Sequence, residues 1–158
     1  MKVSILCVGG VKGGLARVIQ EYEERVAHYW RFRVEVAVGG IGKSAKPDPR
    51  EVLKAEASRL LDRIPSGGEV VAVTRDGKAM GSRDLARFLE DCSLRSVPDV
   101  TFVIGGAYGL GEAVLKRSTR RLSLSAFTFP HEMARLLLTE QLYRAGSISR
   151  KEPYHKGP

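Results

Sequence analysis

Val100-Thr101-Phe102-Val103-Ile104-Gly105-Gly106-Ala107-Tyr108-Gly109-Leu110-Gly111 is the stretch that decides the architecture. Its first five residues form a short apolar run that stops on glycine. A run of that length reads as a strand buried on both faces, and so as a central one. The glycines follow at once. In parallel sheets ligands bind beyond the carboxyl ends of the strands, and glycine there lets the backbone approach a ligand closely. The spacing of Gly105, Gly106, Gly109 and Gly111 is not the dinucleotide fingerprint G-x-G-x-x-G. No Gly-Lys-Ser/Thr follows to make a phosphate loop. On the glycines alone, a tight turn with no ligand stays open beside a cofactor loop.

Working outward, strands and helices alternate. Residues 3–8 are an apolar run ended by Gly9-Gly10, a strand and then a loop. Residues 15–29 carry Leu15, Val18, Ile19, Tyr22, Val26 and Tyr29 near helical spacing, an amphipathic helix. Residues 32–38 alternate as a strand, and residues 39–49, with three Gly and two Pro, read as a mobile surface loop. A helix is predicted over 49–64, with Asp48 as N-cap ahead of Pro49. A strand over 69–73 precedes a turn at Thr74-Arg75-Asp76-Gly77. Ser82 is expected to cap a helix reaching Leu94. After the glycine loop come a short helix to Arg117, a last strand over 121–125, a long helix over 131–146 and a polar, basic tail. This predicts one domain, residues 1–158, of α/β class with a mainly parallel sheet and helices on both faces.

Composition narrows the function. The 158 residues are 43% hydrophobic, enough for a real core. No apolar run approaches the roughly 20 residues of a membrane span, and the first strand is too short for a signal peptide. A cytoplasmic protein with no membrane partner is expected. Cys7 and Cys92 are too few for a disulfide framework and read as buried side chains. His28, His131 and His155 lack metal-ligand spacing, so no metal is expected. The net charge is +8. Residues 112–158 hold nine Lys and Arg and four Asp and Glu, 9 − 4 = +5 of that total. Such a localised positive field favours a polyanion, most simply nucleic acid.

The order of motifs then carries a resemblance. Residues 70–77 followed by Lys78; Ile104-Gly105-Gly106-x-x-Gly109-Leu110; Leu122-Ser123-Leu124-Ser125-Ala126-x-Thr128-x-Pro130-His131; Arg135; Glu140-Gln141-Leu142-Tyr143-Arg144-Ala145; and Pro153-Tyr154-His155 follow one another along the chain. The series resembles the small bacterial methyltransferases that modify N3 of a pseudouridine in 23S rRNA. These belong to the SPOUT, or α/β-knot, superfamily. The resemblance covers nearly the whole chain and is strongest from about Val70 onward. It implies a C-terminal trefoil knot, a rare feature that periodicity could not show. It also implies a homodimer and rRNA on the assembled ribosome as the target.

The resemblance further implies S-adenosyl-L-methionine as methyl donor, held between three loops. These are Val73 and Thr74; Gly105 and Gly106; and Leu124, Ser125, Ala126, Phe127, Thr128, Phe129 and Pro130. Where the family often has Leu-Asp this chain has Val73-Thr74, and Lys156 stands where an arginine can occur. Methylation at N3 needs loss of the N3 proton and in-line attack on the methyl group, with positive charge near the base oxygens favouring the N3 anion. His131, Arg135, Arg144, Tyr154 and His155 are the candidates, with the tail expected to fold over an active site, in cis or on a partner subunit. The bland readings are a capping His131, salt-bridged arginines and a frayed terminus. A ribosome-binding or assembly factor without catalysis is the second reading of the charge.

Overall fold

The structure, a computed structural model, describes residues 1–42 and 46–157. The elements alternate: β1 (Lys2–Val8), α1 (Leu15–Ala27), β2 (Arg31–Ala37), α2 (Pro49–Leu61), β3 (Glu69–Ala79), α3 (Ser82–Leu94), β4 (Asp99–Ile104), α4 (Glu112–Arg117), β5 (Arg120–Ser123) and α5 (His131–Ser149). The five strands form one sheet in the order β2-β1-β4-β3-β5, every pair parallel. The apolar run at Val100 is the middle strand, as its composition required. Its one polar side chain, Thr101, is buried and pairs with Ser4 of β1, Oγ to Oγ1 at 3.1 Å.

Strand alternation sorts the core into two layers. Val3, Ile5 and Cys7 of β1, Val71 of β3 and Phe102 and Ile104 of β4 pack under α1, α3 and α5. Leu6, Val8, Val70 and Val103 face the other way, against Ala57 and Leu60 of α2 and Val114 of α4. Asp48 caps α2 as expected, accepting a hydrogen bond from the Arg50 N–H at 2.9 Å, with Pro49 in the first turn. Cys7 and Cys92 are buried and unbridged. Of the loop expected over 39–49, residues 43–45 lie outside the described residues.

Three expectations are corrected. β3 does not end at Val73 with a turn. It runs on to Ala79 through a bulge between Val73 and Lys78. Gly77 permits this, because a Cβ there would lie 2.6 Å from the Leu122 carbonyl carbon of β5. A glycine inside a strand marks such a close backbone approach. Ser82 does not cap α3. Gly81 is the N-cap, and its N–H donates to the Asp84 carboxylate at 3.2 Å. Ser82 instead donates to Gln141 of α5 at 2.7 Å. α5 passes through Gly146 to Ser149, because Gly146 is there to admit Tyr29: a Cβ would sit 2.4 Å from its ring.

Candidate active site

The carboxyl ends of β4, β3 and β5 are neighbours in the sheet, and a cavity of about 730 Å³ opens there. That lies within the roughly 300–1,000 Å³ of ligand pockets. Each wall comes from a segment singled out in the sequence. β3 supplies Val73 and Thr74. The loop after β4 supplies Gly105 and Gly106. The loop after β5 supplies Leu124, Ser125, Phe127, Thr128, Phe129 and Pro130. Ala126 is exposed and is the one residue of the expected set that does not line the cavity.

Backbone geometry shapes the walls. A Cβ on Gly105 would lie 2.2 Å from the Gly109 carbonyl oxygen. The loop therefore folds back on itself, closed by Gly109 N–H donating to Gly106 O at 3.0 Å. On the third wall, Ser123 Oγ lies 2.8 Å from Arg75 O and 3.0 Å from Ser125 O, joining the β3 bulge to the loop after β5. Phe127 N–H donates to Ser125 Oγ at 3.1 Å. Phe127 itself is 80% exposed at the rim, and Tyr108 is also exposed.

The end of α5 borders the cavity through Pro130, His131 and Ala134. No side chain caps this 19-residue helix, so its positive end favours an anion. His131 is not a cap. Its Nε2 lies 3.0 Å from Gly10 O, in the turn after β1. The carbonyl needs a donor, so Nε2 carries the proton and only Nδ1 of the neutral ring can accept one. A Cβ on Gly9 would meet the His131 ring at 2.9 Å, and φ there is +85°, which is why glycine occupies that turn.

The other candidates lie elsewhere in the same chain. Arg135 forms an ion pair with Glu23 of α1 (2.6 Å), away from the cavity lining, and its Nη1 is 4.0 Å from Cys7 Sγ. Burial pushes the Cys7 thiol above its ordinary pKa, with Arg135 opposing the shift. Arg144 pairs with Glu140 at 2.6 Å, which holds its pKa above the ordinary value despite partial burial. Tyr154 packs on Tyr143 with ring centroids 4.5 Å apart and donates to Glu140 at 2.9 Å. Burial first, then its contacts with Tyr22 and Glu140, raise the Tyr154 phenol well above its usual range. It therefore keeps its proton at neutral pH, shared in the hydrogen bond to Glu140. His155 Nδ1 lies 3.4 Å from Arg144 Nη1, while its Nε2 is buried with no partner among the described residues. The tail is tied down, not frayed. Thirteen residues of α5 separate His131 from Arg144, about 20 Å at 1.5 Å per residue.

Reading residues 74–77 as a turn hid two features. Arg75 and Asp76 also line the cavity, carried there by the continued strand. Thr74 Oγ1 is buried on its wall with no hydrogen-bond partner among the described residues. Among those residues no group of three or more His, Cys, Asp or Glu could hold a metal, and no helix is long and apolar enough to cross a membrane.

Comparison with known proteins follows this geometry. The family described as predicted SPOUT methyltransferase matches residues 1–155. The chain belongs to the SPOUT methyltransferase family. Relatives of matching length share its sequence from end to end. The ribosomal RNA large subunit methyltransferase H of Gemmatimonas aurantiaca is 46% identical over 99% of this chain and 100% of that protein. The protein of the same name from Syntrophotalea carbinolica is 40% identical over 98% and 99%. The fold recurs in a probable methyltransferase from Bordetella pertussis, with TM-score 0.56 and 15% identity over 90% of this chain and 95% of that one.

Proposed function

We propose that this SPOUT methyltransferase transfers a methyl group from S-adenosyl-L-methionine to N3 of a pseudouridine in 23S rRNA, on the assembled large subunit or ribosome. The observation that carries the reading is the cavity. It is lined by ten of the eleven residues the resemblance assigned to the cofactor, at the ends of three adjacent parallel strands. The residues fit such a ligand. The buried Thr74 hydroxyl lacks a partner, the turned-back glycine loop brings bare backbone to the wall, and the uncapped α5 N-terminus suits a carboxylate. The relatives named for ribosomal RNA methylation favour this reading over a ribosome-binding factor without catalysis. An rRNA target supports a cytoplasmic location.

The cofactor supplies a methyl group already activated as a sulfonium. The chain's own work is to align the base with it and to help the N3 proton leave. Within one subunit, Arg144, beside which Tyr154 and His155 sit, is about 15 Å along α5 from Ala134 at the cavity's edge. We infer that a second copy of the chain closes the gap. In such a homodimer the partner's cluster would face the cavity, with Arg144 of the partner subunit favouring the N3 anion. The buried, unpartnered Nε2 of His155 would then have a substrate atom to meet. The resemblance also implies a C-terminal trefoil knot, in a chain whose α5 packs between α1 and α3. Exposed Arg120, Arg121, Lys151 and Lys156 leave positive charge for phosphate contacts.

The test is mass spectrometry of large-subunit rRNA from a strain lacking the gene. One N3-methylated pseudouridine should revert to pseudouridine, and an unchanged rRNA would refute the assignment. Mixing a chain truncated after Glu152 with a full chain carrying Gly105→Ala tests the composite site. The truncated chain alone should be inactive and the Gly105→Ala chain on the order of 100-fold slower, and mixed dimers should regain activity at one site per dimer. No recovery would show that tail and cavity act within one subunit.

A further inference from the structure

On the β3 wall, Thr74 has no named partner on the cofactor, and Asp76 has been given no role. Thr74 Oγ1 is shielded from solvent and lacks a hydrogen-bond partner among the described residues. A buried, unsatisfied hydroxyl on a cavity wall is costly unless a ligand completes it. Asp76 lines the same cavity, is exposed, and stands in no ion pair among the described residues. The two residues flank Arg75, whose carbonyl is held by Ser123 Oγ. Both lie in the β3 bulge between Val73 and Lys78, which brings them to the same cavity wall.

We propose that Asp76 and Thr74 together bind the ribose diol of the adenosyl group, an inference that rests on the cofactor reading above. An ionised carboxylate only accepts hydrogen bonds, and a threonine hydroxyl both accepts and donates. Two adjacent ribose hydroxyls match that pair: one donates to Asp76, and the other exchanges a hydrogen bond with Thr74. The remaining charged end of the cofactor has a different seat, because the uncapped N-terminus of α5 on another wall suits the methionyl carboxylate. Asp76 is thereby assigned to a neutral polar group and not to the sulfonium.

Calorimetry on the full chain tests this with S-adenosylmethionine, S-adenosylhomocysteine and the 2′-deoxy and 3′-deoxy forms of the latter. Hydrogen bonds to charged groups contribute about 1.5–3 kcal/mol, or roughly 10- to 100-fold in Kd. The wild type should bind at least one deoxy analogue weaker by that factor. Asp76→Asn should weaken S-adenosylhomocysteine comparably and lose most of the discrimination, and Thr74→Val should do so in part. Unchanged discrimination in both variants would overturn the proposal. So would an Asp76→Asn chain that keeps the diol preference but loses a preference for the sulfonium over its demethylated product. A wild type that binds none of the four ligands would instead sink the cofactor reading itself, and this inference with it.

Discussion

Gly105→Ala is the sharpest perturbation of the cavity. The added Cβ would lie 2.2 Å from the Gly109 carbonyl oxygen, 2.4 Å from its carbon and 3.0 Å from Leu110 N. All three are backbone atoms, so no flexible side chain can swing aside. Cβ contacts under 3.0 Å are essentially never seen, so the loop must open by at least 3.0 − 2.2 = 0.8 Å. Overpacking of this kind costs about 1–3 kcal/mol. For a chain of this size that is a fall in Tm of roughly 2–12 °C. A displacement near 1 Å in a positioning wall also lowers transfer on the order of 100-fold. Differential scanning fluorimetry reads the first effect, and methylation of ribosomal subunits reads the second. Gly67→Ala is the control, since nothing lies within 4 Å of its Cβ and its φ is not positive. If Gly105→Ala matches the wild type in both measurements, the loop is not the tight wall described.

Two further predictions concern residues outside the cavity. Arg135→Ala strands the Glu23 carboxylate, whose side chain is only 20% exposed. Unfolding in urea should show a loss of about 3 kcal/mol, partly recovered by adding Glu23→Gln. Full stability with lost methylation would make Arg135 catalytic instead. Tyr29 and Tyr154 both have raised phenol pKa values, through burial first and then through hydrogen bonds, to Glu152 for Tyr29 and to Tyr22 and Glu140 for Tyr154. The folded state holds these protons more tightly, so their contribution is complete below the unfolded pKa of about 10 and declines as pH rises beyond it. Stability measured across that range should fall, and Tyr29→Phe with Tyr154→Phe should flatten the decline.

Much of this was legible in the sequence because one signal dominated. An apolar run that stops on glycine has little choice but the middle of a parallel sheet, and Val100 to Ile104 is indeed β4. The segments that line the cavity were likewise singled out by a motif series. What misled was punctuation. Gly77 and Gly146 read as stops, yet each is small to admit a neighbour distant in sequence, Leu122 and Tyr29. No local pattern announces such contacts. The same misreading concealed Asp76, since a turn residue is not expected on a cavity wall. The separation of Arg144 from His131 was implicit in helix length, but only the docking of the tail on Glu140 and Tyr143 showed where His155 goes.

The cavity walls come from within residues 73–76, 104–115 and 124–134, and none of the three makes a pocket alone. β5 must reach β3 across some 50 residues of chain, and α5 must settle between α1 and α3, before a ligand has anywhere to sit. Such pairings between distant segments are slow to form, because the loop-closure entropy comes first. Occupancy of the cavity is thus a report that the last quarter of the chain has arrived. It also returns stability to the whole molecule. A ligand that recognises only the finished arrangement adds RT ln(1 + [L]/Kd) to global unfolding, about 2.7 kcal/mol at a hundredfold excess over Kd. In a cell the supply of methyl donor would set the lifetime of the enzyme as well as its rate.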